Sequence, residues 1–210
     1  MMKNRIVFYS GGIMSWATAK RAIEESGEED RIILFFTDTL IEDPDLYRFL
    51  AETTAAWDDE AEFIRVADGR TPFEIFRDVK LLGNSRLDPC SRILKRELSH
   101  KYVKDFDPED TILYIGYNWD EPHRLEATQR AYSPFEVRAP LMEPPYLAHA
   151  DVVEMLEDIG IAQPRLYDRG YAHNNCGGAC VKAGQAAWAH LLKDNPALYA
   201  KWEEHEIEMR

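Results

Sequence analysis

The stretch that most constrains the fold of this chain lies near its amino end, where an apolar run meets two glycines and a helix-forming segment. It reads IVFYSGGIMSWATAKR over residues 6–21. The apolar residues 6–9 are β-prone, and good helix formers follow Ser15. The pattern therefore predicts a strand, a tight turn and a helix in that order.

The turn within this stretch predicts an anion-binding loop. Backbone N–H groups of the turn and the positive end of the following helix face the same point. Gly11 and Gly12 allow a close approach of phosphate to the backbone, and the hydroxyls of Ser10 and Ser15 add donors. An ordinary strand-to-helix turn is the competing interpretation, because two glycines after a strand are common. No Gly-Lys-Ser/Thr follows, so this is not a Walker loop.

Composition limits the classes of protein to which the chain can belong. Its 210 residues are 45% hydrophobic, enough for one good core, and its formal charge is −13, which argues against extensive nucleic-acid binding. Three cysteines do not suggest a disulfide framework, and no signal-peptide pattern precedes them, so we expect a reducing, cytoplasmic setting. No apolar run is long enough to span a bilayer, so we expect no membrane contact.

Strand and helix patterns alternate along the chain. Strands are predicted at 31–36, 62–66, 111–117 and 136–138, and helices at 15–25, from Pro44, at 72–82, from 88, at 151–159 and from Pro196. This order predicts an α/β fold, a parallel twisted sheet with helices on both faces. Ligand groups cluster where parallel strands end, which makes Asp38 and Thr39 candidate binding residues, with Asp38 near a metal or ribose.

The domain prediction divides the chain in two. Residues 1–145 form an α/β nucleotide-binding domain, and residues 146–210 form a helical C-terminal segment that carries Cys-x3-Cys and packs on the same domain. The last helix, from Pro196, is expected to pack across the domain or on a second copy, which leaves a homodimer open.

Three cations crowd the start of one predicted helix. Arg92, Lys95 and Arg96 lie in its first turns, where the helix dipole does not favour positive charge. This excess suggests an anionic ligand, and pairing with surface carboxylates is the alternative.

Several motifs carry a resemblance to a known superfamily. Ser-Gly-Gly-x-x-Ser after an N-terminal strand resembles the PP-loop of the N-type ATP pyrophosphatases and of the PAPS and APS reductases. The segment 116–124, with Gly116, Glu121 and Arg124, is similar to the PAPS reductase-like segment that lines the nucleotide pocket. Ala-Pro-Leu at 139–141 resembles the family's Pro-Leu turn. The resemblance implies a Rossmann-like PP-loop fold that binds ATP, or PAPS, with Mg²⁺.

The three cysteines form a second constellation. Cys176 and Cys180 are separated by two glycines and an alanine, near an expected helix start, and Cys90 lies 86 positions before Cys176. This arrangement resembles the iron–sulfur APS reductases, which implies a [4Fe–4S] cluster, although those proteins have paired cysteines and CxxC. A zinc site that adds His173 and a set of buried free thiols are the alternatives.

Two departures separate the chain from both parent activities. Met14 stands where the ATP pyrophosphatases have aspartate, a lysine is usual near Ile13, and the C-terminal Glu-Cys-Gly of the reductases is absent. The resemblance therefore implies an enzyme that adenylates a substrate oxygen with release of pyrophosphate, for sulfur insertion. The cations expected to stabilise charge are Arg92, Lys95, Arg124 and Lys182.

The alternatives are sulfonucleotide reduction and a non-catalytic nucleotide sensor or adaptor. Expected partners are a small-molecule or nucleotide substrate and a sulfur-donor or reductant protein.

Overall fold

The computed structural model describes residues 2–119 and 121–209, so Asp120 and the two terminal residues lie outside the described residues. A five-stranded sheet has the order β3-β2-β1-β4-β5, and every neighbouring pair is parallel. The strands are β1 (Asn4–Phe8), β2 (Arg31–Asp38), β3 (Glu62–Ala67), β4 (Thr111–Tyr114) and β5 (Glu136–Arg138). The predicted parallel α/β class is confirmed.

Helices cover both faces of the sheet. They are α1 (Ile13–Glu24), α2 (Pro44–Ala55), α3 (Pro72–Val79), α4 (Pro89–Ser91), α5 (Leu98–Val103), α6 (Pro122–Tyr132), α7 (His149–Asp158), α8 (Arg165–Asp168), α9 (Gln185–Asp194) and α10 (Pro196–Glu208). Successive strand residues point to opposite faces, so Val7 packs with α1, α2 and α7 while Ile6 packs with α5 and α6.

The central strands are buried because both faces are covered. Ile6 pairs with Ile33 and Val7 with Leu34, and all four side chains are fully buried. The sequence of such a strand is a continuous apolar run and not an alternation of apolar and polar residues. The strands could therefore be predicted from the sequence. The carboxyl ends of β1, β2 and β4 consequently lie at one edge of the sheet.

Several predicted boundaries were wrong. The helix predicted at 72–82 ends at Val79, because Lys80 adopts a left-handed conformation with φ of 52°. The strand predicted at 111–117 ends at Tyr114. Between α4 and α5 the chain forms a π-helical segment, Arg92–Glu97, which the regular helical spacing did not predict. The short α8 and the longer α9 were also not predicted.

The C-terminal segment packs against the helices that follow β3. Trp202 of α10 contacts Phe73 of α3 with ring centroids 4.4 Å apart, and a second apolar cluster joins Cys90, Leu166 and Leu191. The predicted packing of the last helix across the same chain is consistent with these contacts, while the domain division and the homodimer stay predictions. No helix in residues 2–119 and 121–209 combines the length and apolarity needed to cross a membrane.

Candidate functional site

The glycine loop after β1 has the backbone of an anion-binding turn. Gly11 has φ of 77°, which favours glycine, and a Cβ there would lie 3.0 Å from the side chain of Leu46. Gly12 is the N-cap of α1 and provides no side chain to cap it. The first N–H groups of a helix need partners from outside the helix, so this loop can offer them to a ligand.

The side chains around the loop have unequal roles. The Ser15 hydroxyl donates to the Gly12 carbonyl at 2.7 Å, so it supports the turn. Ser10 is exposed and open to a ligand. Gly116, after β4, lets the backbone approach α1 closely, since a Cβ there would lie 3.2 Å from the Ser15 Cα. The structure therefore brings Ser10, Gly11, Gly12, Ser15 and Gly116 together, and their role in nucleotide binding stays a prediction.

A tyrosine from the C-terminal segment covers the start of α1. The Tyr167 hydroxyl lies 3.2 Å from the position of a Cβ on Gly12 and close to the backbone N–H of Ile13. Burial raises the pKa of Tyr167, and the nearby Ile13 N–H and Asn174 amide act against that rise. The hydroxyl thus lies at the start of a helix that has no N-cap side chain.

Asp38, the last residue of β2, is held in place by hydrogen bonds from neighbouring residues. The Asp38 carboxylate is fully buried and accepts the Leu40 N–H and the Tyr47 hydroxyl, each at 2.8 Å, and the Arg65 guanidinium. These contacts orient it toward α2 and β3. The predicted role of Asp38 at a metal or ribose stays a prediction.

Glu42 connects this edge of the sheet to the cysteines. Its carboxylate is almost fully buried, accepts the Thr39 hydroxyl at 2.9 Å and accepts the Cys176 backbone N–H at 2.6 Å. The Lys95 ammonium lies 3.6 Å from it. Thr39, predicted as a ligand-binding residue, therefore donates a hydrogen bond to the carboxylate that holds the cysteine loop.

The cysteine loop is a left-handed glycine turn and not the helix start that the sequence suggested. Cys176, Gly177 and Gly178 have φ of 55°, 64° and 91°, and α9 begins only at Gln185. A Cβ on Gly178 would lie 2.5 Å from the Tyr171 ring, so only glycine fits there. The turn folds the two thiols toward each other.

The pKa values of the three thiols depend on one another. A hydrogen bond between Cys176 and Cys180 raises the pKa of Cys176 and lowers that of Cys180 to about 6, and Cys90 interacts electrostatically with Cys180. Burial raises the pKa of Cys90. Lys95 favours the thiolates of Cys176 and Cys180. Since a thiolate is the form that binds metal, Cys180 is the best prepared of the three.

In the part of the chain that the structure describes, no three His, Cys, Asp or Glu side chains are arranged closely enough to hold a metal ion as they stand. The three thiols are nevertheless free, neighbouring and mostly buried. Their chemistry fits a soft metal or an iron–sulfur cluster. His173 is exposed, and its place in a zinc site stays a prediction, as does the cluster.

The four predicted catalytic cations all lie near carboxylates. Arg92 pairs with Glu97 at 2.8 Å and Lys182 with Asp88 at 3.2 Å, in exposed positions. A further pair joins Arg124 to Glu121, and the Arg124 guanidinium lies 4.2 Å from the Tyr117 ring centroid. Arg96 also pairs with Asp88, at 3.2 Å. Lys95 alone among the four lies beside the thiols.

A cavity of about 590 Å³ lies behind the cysteine loop, away from the glycine loop. Five aromatic side chains line it, from Phe73, Phe76, Trp188, Tyr199 and Trp202, together with Val181 and Ala183, which follow Cys180.

Comparison with known proteins places the fold. No protein-family model matches the chain, and no curated protein matches it by sequence. A solved structure of phosphoadenylyl-sulfate (PAPS) reductase from Candida auris, a phosphate complex, superposes with a TM-score of 0.54 at 17% identity, over 83% of this chain and 80% of that one.

The fold is that of PAPS reductase-like PP-loop proteins.

A second solved structure has the same fold. The U34-tRNA thiolase NcsA from Methanococcus maripaludis, with its [4Fe-4S] cluster, matches with a TM-score of 0.50 at 14% identity, over 100% of this chain and 72% of that one. At these identities the likeness concerns the PP-loop fold itself. The resemblance inferred from the sequence motifs is confirmed at that level.

Sequence reasoning missed three residues of this site: Glu42, Tyr167 and Asn174. Glu42 could have been found, because it follows a buried strand at the edge where ligand groups collect. Asn174 adjoins the cysteine pair but has no motif of its own, and no local pattern places Tyr167 on the glycine loop.

Proposed function

We propose that this chain is a PP-loop enzyme that binds an adenine nucleotide at the glycine loop and adenylates a substrate oxygen with ATP, in preparation for sulfur insertion. PAPS is the alternative nucleotide. The observation that carries the proposal is the closeness of the two loops. Glu42 holds Cys176, while Leu46, on the helix that follows Glu42, packs on Gly11.

The first step is transfer of the adenylyl group. The substrate oxygen forms a bond to the α-phosphorus of ATP, the bond from that phosphorus to the bridging oxygen breaks, and pyrophosphate leaves. The substrate proton passes to solvent. Gly11, Gly12 and the exposed Ser10 hydroxyl would hold the phosphates, since N–H groups at a helix start favour developing negative charge.

The second step replaces the activated oxygen. A sulfide-level sulfur donor forms a bond to the carbon, and AMP leaves with the original oxygen. Neither atom changes its formal oxidation state, so the step needs no reductant.

Most of the predicted catalytic cations must leave their carboxylate partners before they can contact a phosphate. Arg92, Arg124 and Lys182 hold surface ion pairs, which are worth about 0–1 kcal/mol each, so a phosphate can replace their carboxylates at small cost. Lys95 is placed differently, beside Glu42 and the thiols. It would keep a thiolate or a bound sulfur anionic.

The metal centre rests on the three thiols. Cys90, Cys176 and Cys180 would hold a [4Fe–4S] cluster, or zinc as the alternative. A cluster held by three cysteines would supply an open iron at which sulfur can bind. The cluster of NcsA, a protein of similar fold, supports this assignment.

The test is pyrophosphate release by protein purified without oxygen, with ATP and a panel of small-molecule and nucleotide acceptors. We expect brown protein, an ATP-induced rise in melting temperature, and release that depends on an acceptor. Ser10→Ala should weaken ATP binding, whereas Ser26→Ala, at the far end of α1, should not. ATP with no thermal shift and no release with any acceptor would contradict the proposal.

The same experiment separates the alternatives. Sulfite formed from PAPS with thioredoxin as reductant would favour sulfonucleotide reduction. Tight nucleotide binding with no turnover, unchanged by Cys176→Ala, would favour a sensor. Colourless protein with stoichiometric zinc would show that the cysteines bind zinc and not an iron–sulfur cluster.

A further inference from the structure

One side chain from the C-terminal segment contacts the glycine loop and a second lies beside the first, although no motif assigned either of them to the loop. The Tyr167 hydroxyl lies at the start of α1, close to the Ile13 N–H. Asn174 lies next to that hydroxyl.

Asn174 is the unusual member of this pair. Only 5% of its surface is exposed, and in the described part of the chain neither its amide nitrogen nor its amide oxygen has a hydrogen-bond partner of good geometry. Buried polar groups are nearly always hydrogen-bonded, because leaving them unpaired is costly. A buried, unpartnered amide beside an anion-binding turn therefore points to a ligand that completes it.

Tyr167 has an unused donor for the same reason. Its oxygen lies beside the Ile13 N–H, which is a donor, so its own proton is available to a further acceptor. Burial keeps this phenol protonated, since its pKa is raised. Two neutral donors, one hydroxyl and one amide, thus converge beside Gly12.

We propose that Tyr167 and Asn174 are ligand-binding residues of the glycine loop and that both donate to the phosphate-bearing end of the nucleotide. This inference rests on the proposed nucleotide site and extends it to the C-terminal segment. The chain lacks a lysine near Ile13, and these neutral donors would supply contacts on that side of the loop.

The assignment has a structural consequence. Asn174 stands two residues before Cys176, so one short segment contacts both the phosphates and the thiols. A nucleotide held by Asn174 would fix the position of the cysteine loop.

The test compares ATP and inorganic pyrophosphate binding, by calorimetry, in the full chain and four variants. Asn174→Leu keeps the branched shape of asparagine without its polar atoms, Asn174→Ala is the smaller alternative, and Tyr167→Phe removes only the hydroxyl. The matched control is Asn175→Leu, at a more exposed neighbouring position. Melting temperatures of the ligand-free proteins are recorded alongside.

We expect opposite effects on stability and binding for Asn174→Leu. It should raise the melting temperature of the free protein, because an unpaired buried amide is removed, and weaken both ligands about tenfold or more, as loss of a hydrogen bond to a charged group predicts. Tyr167→Phe should weaken both ligands by a similar factor. Asn175→Leu should leave the dissociation constants unchanged.

The outcomes are separable. If the wild type binds neither ATP nor pyrophosphate, the proposed function fails and this inference fails with it. If the wild type binds and the Asn174 and Tyr167 variants bind equally well, the inference alone is wrong. A lower melting temperature for Asn174→Leu with unchanged affinity would show a purely structural asparagine.

Discussion

Replacing Glu42 should release the cysteine loop from the sheet. Its carboxylate, 2% exposed, accepts the Cys176 N–H at 2.6 Å and the Thr39 hydroxyl at 2.9 Å, and it lies 3.6 Å from the Lys95 ammonium. In Glu42→Ala, all three donors lose this acceptor.

The expected cost follows from these contacts. Hydrogen bonds to a charged group contribute about 1.5–3 kcal/mol each, and removing one partner of a buried pair costs about 3–5 kcal/mol. Water can reach part of Lys95, whose side chain is 29% exposed, so we expect Glu42→Ala to cost about 3–4 kcal/mol of unfolding free energy. Glu42→Gln keeps one acceptor oxygen and should cost about half as much.

The measurement is urea unfolding, with the rate of thiol modification in the folded protein as a second readout. Thiol modification should accelerate in Glu42→Ala, because Cys176 loses the bond that holds its backbone. The control is Glu52→Ala on the same helix, whose exposed pair with Arg48 is worth at most about 1 kcal/mol. Equal stabilities and equal thiol rates for the Glu42 and Glu52 variants would refute this account of the loop.

Three further predictions concern other parts of the molecule. Burial acts against ionisation of Asp30, yet hydrogen bonds from Arg5 and two backbone N–H groups lower its pKa from 3.8 to about 2. The stabilisation, up to about 2 kcal/mol, is therefore present above pH about 4 and lost as the pH falls toward about 2. Asp30→Asn should lack this acid-dependent component in unfolding curves, and a difference curve flat over that range would count against it. Gly11→Ala places a side chain on a residue with φ of 77° and against Leu46. We therefore expect the free energy of unfolding, measured by thermal unfolding, to fall by about 2 kcal/mol and ATP binding to weaken. Unchanged ATP affinity would show that the loop is not part of the nucleotide site. Cys90→Ala should lower the metal bound per chain after anaerobic reconstitution, measured by elemental analysis, whereas equal loading would mark Cys90 as a packing residue.

Local sequence pattern was sufficient for the sheet and the glycine loop. The apolar run of β2 and the glycines after β1 are properties of neighbouring residues, so they can be identified without knowing what lies across the molecule. The ends of helices were less predictable. Lys80, for example, ends α3 by adopting a left-handed conformation, which glycine usually adopts at this position.

The partners of each polar group were decided by the tertiary structure. Glu42 is 134 positions from the Cys176 N–H that it accepts, and no sequence period links two such residues. The sequence by itself determined that the chain forms a parallel α/β sheet with a glycine turn after its first strand, because those features depend on local propensity and apolar pattern. Only the folded chain decided that Glu42 reaches the cysteine loop and that Tyr167 reaches the glycine loop, because long-range packing fixes which distant groups become neighbours.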